Sequence, residues 1–192
     1  VLGCTLGDPS IDLPLCVKGH PYREQMAGLD CPANFETLGR FPAFAEQFRI
    51  IREKLGDRVA VFGMSEGPFT AAANLIGTDR MMRATIRDPK LVASVLDVTT
   101  EAVAQAVRFA FAHGADYYCI AEPTSGTELL SPSKWETFVG PALKRVAGRA
   151  NGPVVLHICG NADRILPVMC DTGVAGISIE EKTSLAEALR IA

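Results

Sequence analysis

Val154-Val155-Leu156-His157-Ile158-Cys159-Gly160 is an apolar, β-branched run that carries two good metal ligands one residue apart and stops at a glycine. Its length, composition and terminal turn residue read as a strand. Side chains alternate faces along a strand, so His157 and Cys159 share one side. If Leu156 and Ile158 turn outward onto helices, the imidazole and the thiol point inward near the strand's carboxyl end. Enzymes built on parallel strands keep their chemistry there. His-x-Cys supplies half of a tetrahedral site, and the same pair buried in a core would only pack, so the surrounding chain has to decide.

Working outward, Val59 to Met64 is a second short apolar run after Gly56-Asp57-Arg58, ending in Ser65-Glu66-Gly67-Pro68, a strand followed by a loop. Before it, Phe44, Phe48, Ile51 and Leu55 recur at helical spacing from Phe41, with Gly56 placed to end the helix. After it, Asp88 as cap and Pro89 in the first turn open a long helix that runs through Phe111 and closes at His113-Gly114. Ala115 to Ala121 reads as the next strand, and Ser131-Pro132 starts a helix through Trp135, Phe138 and Leu143. A helix from about Ala162 to Asp171 follows the His157 strand, then a strand from Gly176 to Ile179, and Thr183-Ser184 caps a last helix that reaches Ala192.

Apolar strands alternating with helices predict an α/β fold of parallel β/α units with both sheet faces covered. A closed eight-stranded barrel takes about 250 residues. Only about five strands are convincing here, so an incomplete (β/α)8 TIM-type barrel is expected. An open sheet with helices on both faces is the rival, but no Gly-x-Gly-x-x-Gly follows any strand, which removes its commonest use in dinucleotide binding.

At 192 residues and 48% hydrophobic, the chain can bury a sizeable core, and it has no apolar run long enough for a membrane span. A net charge of -3 with no basic stripe argues against nucleic acid and for small molecules or another protein as partners. Six widely spaced cysteines, Cys4, Cys16, Cys31, Cys119, Cys159 and Cys170, read as reduced thiols of a cytoplasmic protein.

Adjacent β/α units would deliver Glu66, Glu122, His157 with Cys159, and Glu180 with Glu181 to one rim. An acid just past a strand often caps the next helix or pairs with an arginine, which is the plain alternative for Glu66 and Glu181. Glu122 lies between an apolar strand and Pro123, where little solvated surface is expected, and Glu180 lies one step beyond Ile179 and can face either way. Cys170 falls too far down its helix to join a rim site, roughly 12 Å at 1.5 Å per residue. Cys119 reads as core, His20 as a loop residue and His113 as a helix end. Two ligands are therefore visible, and a third is either a carboxylate or lies beyond Ala192.

Three stretches also resemble a known family: GPFTAAANLIGTDRMM at 67–82, IAEPTSGTELLSP at 120–132 and GPVVLHICGNADRILPVMCDTGVAGISIEEK at 152–182. They resemble the uroporphyrinogen decarboxylase superfamily and, within it, the corrinoid:thiol methyltransferases, the group of the methylcobalamin:coenzyme M methyltransferases. His-x-Cys followed by Gly-Asn discriminates, because the decarboxylases lack a zinc-ligating pair there.

The resemblance implies one barrel domain over residues 1–192, partial at its carboxyl end and also at its amino end. Zn2+ would be held by His157, Cys159 and a later cysteine beyond residue 192. It implies methyl transfer from a methylcobalamin-type corrinoid, carried by a corrinoid protein, to a small-molecule thiol. Glu122 would tune or transiently occupy the site. Glu180 stands where the family usually has the aspartate of Asp-Glu-Lys and would act in catalysis. Glu66, Gly67, Pro68, Phe69 and Thr70 would shape the corrinoid-facing mouth, a stretch that otherwise reads as a tight turn. Two other readings stay open, a metal-free tetrapyrrole decarboxylase and a non-catalytic corrinoid- or tetrapyrrole-binding barrel. Open sheet edges in a partial barrel predict self-association, as a homo-oligomer or by swapping.

Overall fold

The four apolar runs pair side by side in chain order. In the computed structural model, which describes residues 1–8, 10 and 17–191, β3 (Phe62–Glu66), β4 (Tyr117–Ala121), β5 (Val154–Ile158) and β6 (Gly176–Ile179) form one parallel sheet in the order β3-β4-β5-β6. A separate antiparallel pair, β1 (Thr5–Leu6) with β2 (Val17–Gly19), lies near the amino end. Four parallel strands are thus described where about five were expected. Cys16 and Ala192 lie outside the described residues.

Each parallel strand is followed by helix, as the alternation predicts. α1 (Phe41–Leu55) ends at Gly56 as expected, with φ at +55° and the Gly56 N–H bonded back to Arg52. Between β3 and β4 run α2 (Pro68–Ile76), α3 (Thr78–Arg87) and the long α4 (Pro89–Ala112). Asp88 caps α4, its side chain accepting from the Leu91 N–H at 3.1 Å. α5 (Pro132–Lys134), a wide turn at Trp135–Val139 and α6 (Gly140–Ala147) join β4 to β5. α7 (Leu166–Cys170) joins β5 to β6, and α8 (Leu185–Ile191) follows, with the Ser184 hydroxyl accepting from the Glu187 N–H.

Two stretches depart from the sequence reading. α2 and α3 occupy residues for which the sequence reading predicts no helix, because Gly67-Pro68 reads as a turn. Proline suits the first helical turn, where its missing N–H has no partner to lose. The strand expected at 59–64 runs at 62–66 instead: a 3-10 turn takes up Gly56–Arg58, and pairing with Tyr117 to Ala121 sets the register.

Burial alternates along the strands. Val154, Leu156 and Ile158 of β5 and Tyr118 and Ile120 of β4 are buried against the helices, each fully buried aliphatic side chain stabilising the fold by about 1.5–3 kcal/mol. The opposite face is uncovered by the described residues: Phe62 is 48% exposed and Met64 59%. Helices therefore cover one face of a consecutively ordered sheet, the arrangement of barrel β/α units, and the second covered face that the apolar strands predicted is absent from these residues. No helix among the described residues is long and apolar enough to cross a membrane.

Candidate metal centre at the carboxyl ends of the strands

Register places the polar groups of the uncovered face in rows. Glu66 pairs with Ala121, Ala121 with His157 and His157 with Ser178, one row across four strands. The row beneath runs Met64, Cys119, Val155 and Gly176, and lower still Phe62 stacks on Tyr117 with ring centroids 4.9 Å apart. An apolar floor thus lies under a polar rim. Cys119 belongs to this half-exposed face, a correction to its expected core position: β4 alternates about Tyr118 and Ile120, which take the helix side.

Above the His157 row stand Cys159 and Glu180. Leu156 and Ile158 are fully buried on the helix side, so His157 and Cys159 do face the other way. His157 Nε2 lies 3.4 Å from Cys159 Sγ, and ligand atoms of His157, Cys159 and Glu180 all fall within 4.8 Å of one another. A tetrahedral zinc with bonds of about 2.3 Å to sulfur and 2.0 Å to nitrogen holds those two atoms about 3.5 Å apart. The spacing and the mixed N, S, O donor set fit a zinc-type ion. Without a cation, burial and the neighbouring Glu180 push the Cys159 thiol up, so it stays protonated at neutral pH.

The loops carrying these groups are tied together. Gly160, at φ +77°, takes the left-handed turn that glycine tolerates, and its N–H donates to Glu180 Oε2 at 2.7 Å. The Thr183 hydroxyl donates to the Gly160 carbonyl and accepts from the Ala162 N–H, while the Asn161 side-chain amide donates to the Lys182 carbonyl at 2.7 Å. The loop after β5 is in this way stitched to the loop after β6.

The remaining expected site residues sit elsewhere. Glu122 is wholly buried, as its surroundings suggested, but its carboxylate turns away from His157. It accepts from the Phe69 and Thr70 N–H groups at 2.8 Å each and from the Thr70 hydroxyl at 2.7 Å, capping α2, while its own N–H donates to the His157 carbonyl. A carboxylate held this way does not enter the His157–Cys159–Glu180 group, a correction to its expected place in the site. Gly67 lets that carboxylate approach, since a Cβ there would lie 2.3 Å from Glu122 Oε1. Burial pushes Glu122 up to about 7 against these hydrogen bonds.

Glu66 is exposed at the end of β3, accepts from the Asn74 side-chain amide at 2.5 Å, and stands two strands from His157, about 10 Å at ordinary strand spacing. Pro68, Phe69 and Thr70 are buried in the first turn of α2. That stretch is a helix start, not a tight turn, and its side chains face the core. His20 and His113 lie outside the cluster, bonded to the carbonyls of Asn74 and Phe109.

Ser178 was not anticipated. Its hydroxyl lies 3.0 Å from His157 Nδ1. A lone serine in Gly-Ile-Ser-Ile carries no motif, and only the pairing of β6 with β5 brings it to the imidazole.

The family model described as "Uroporphyrinogen decarboxylase (URO-D)" matches residues 1–192. The chain is 34% identical over 181 residues to the methylcobamide:CoM methyltransferase MtaA of Methanosarcina barkeri, covering 94% of this chain and 53% of that protein. It is 29% identical over 182 residues to the uroporphyrinogen decarboxylase of Synechococcus sp. (strain CC9605), covering 89% of this chain and 51% of that one. A solved methyltransferase from Methanosarcina mazei superposes with a TM-score of 0.90 at 36% identity, over 94% of this chain and 54% of that structure. The chain spans about half the length of the curated relatives it matches.

Proposed function

The chain belongs to the uroporphyrinogen decarboxylase family, and we propose that within it the protein is a zinc-dependent methyltransferase that moves a methyl group from a methyl-corrinoid to a thiol such as coenzyme M. The observation that carries this reading is the convergence of His157 Nε2, Cys159 Sγ and a Glu180 oxygen within 4.8 Å at the rim. The methyltransferase relatives, alike in sequence and in fold, support it.

On this reading His157 and Cys159 are the ligands this chain contributes, Glu180 stands within reach as an oxygen donor, and a cysteine outside these 192 residues completes the set. Zn2+ bound there would keep an incoming thiol as an electron-rich thiolate at neutral pH. The stitched loops hold the imidazole and the sulfur in place above the apolar row of Met64, Cys119 and Val155. Glu122 acts by position, tying the start of α2 to the backbone of His157. Glu66 and the main chain from Gly67 to Thr70 form the wall of the mouth that meets the corrinoid. The partners are a corrinoid protein and a small-molecule thiol, the compartment is the cytoplasm, and the four strands belong to a larger closed barrel.

Zinc analysis of the full-length protein tests this directly, with about one ion per chain expected. His157→Ala and Cys159→Ser should each lose the metal and lower methyl transfer from methylcobalamin to coenzyme M by about 100-fold or more. A metal-free protein that decarboxylates a tetrapyrrole would replace this reading with the family's other chemistry.

A further inference from the structure

We propose that Ser178 is a positioning residue that dictates which nitrogen of His157 is presented to the metal. The inference rests on the metal-centre reading above and adds to it a residue, on a neighbouring strand, that the motif does not contain.

An imidazole can ligate through either nitrogen, and the hydrogen bond made by the other nitrogen selects between them. Here Cys159 Sγ lies 3.4 Å from Nε2, so Nε2 is the nitrogen that shares a cation with the sulfur and must offer its lone pair. Nδ1 then carries the proton and needs an acceptor. The Ser178 hydroxyl oxygen, 3.0 Å from Nδ1, accepts it. On the other flank the residue paired across the sheet is Ala121, which offers no polar side-chain atom.

The contact follows from strand register. His157 and Ser178 are paired in the parallel ladder of β5 and β6, so their side chains stand on the same face one strand apart. Two residues further on, just past the end of β6, Glu180 accepts from the Gly160 N–H, so β6 and the residue after it support both halves of the His-x-Cys pair. A neutral acceptor also suits this place. Glu180, and Cys159 once a cation holds it as a thiolate, would supply negative charge beside the imidazole, and a carboxylate in place of Ser178 would add more.

Three full-length proteins, wild type, Ser178→Ala and Ser178→Thr, should be compared by chelator competition for Zn2+, with Co2+ as the spectroscopic probe of thiolate coordination. Ser178→Ala should bind Zn2+ about 10-fold more weakly while keeping the thiolate-to-cobalt band, and Ser178→Thr should recover most of the loss. Nitrogen-15 spectra of zinc-loaded wild type should show His157 protonated at Nδ1 and ligated through Nε2. Ligation through Nδ1, or Ser178→Ala with unchanged affinity and an unchanged ring, overturns the proposal. If Ser178→Ala fails to fold, the wild-type spectrum still decides. A wild-type protein that binds no Zn2+ overturns the parent reading and this one with it, and that failure shows before any variant is made.

Discussion

Glu122 illustrates how far one residue's role depends on where its side chain turns. Its position after an apolar strand announced burial, and the carboxylate is indeed out of water, yet it serves the first turn of α2 and not the metal group. Burial raises its folded pKa to about 7, opposed by the Thr70 and Phe69 donors and helped by the charge of Glu66. Because the folded value exceeds the ordinary value near 4.3, the native state binds more protons between the two. The stabilisation is complete below about pH 4.3 and is lost as pH rises to about 7, an effect of about 4 kcal/mol. Glu122→Gln removes the titration. The difference in unfolding free energy between wild type and variant, from urea denaturation, should therefore change by about that amount across this window; a difference independent of pH would contradict it. His157 and Cys159 were legible as a pair from spacing alone, whereas Ser178 and the direction of Glu122 were not, since both depend on neighbours 21 and 52 or 53 residues away in sequence.

At the scale of elements, local signals worked where a cap or a long periodic face was present. α1, α4 and β6 lie where the sequence put them, because Gly56, Asp88 with Pro89, and the short Gly-Ile-Ser-Ile run each mark an end. Asp88→Ala should remove the α4 cap at a cost of about 1 kcal/mol, read as a lowered urea midpoint with an unchanged slope. An unaltered midpoint would show that the Leu91 N–H finds another acceptor. α2 escaped notice because it is apolar on nearly every side, with Phe69, Ala72, Ala73, Leu75 and Ile76 all buried, so no polar face betrays a period. Its start is instead fixed from a distance, by the Glu122 carboxylate.

At the scale of the molecule, the sheet exposes an apolar face and two outer strands unpaired among the described residues. Grooves lined by Phe41, Phe44 and Phe48 beside β3, and by Leu166, Ile177 and Leu189 beside β6, flank those edges. Such edges invite pairing with another chain. The 192-residue chain should therefore sediment as dimers or larger species at micromolar concentration, and a clean monomer in sedimentation velocity would refute this. The amino-acid sequence by itself determined the parallel β/α class, the ends of α1 and α4 and the His157–Cys159 pair, because these follow from periodicity, caps and strand alternation, all of which act over a few residues. Only the tertiary structure decided that Glu180 and Ser178 join that pair, that Glu122 leaves it and that Cys119 lies on the open face. Cross-strand register and the packing of α2 join segments tens of residues apart, and no local pattern encodes which side chains those contacts bring together.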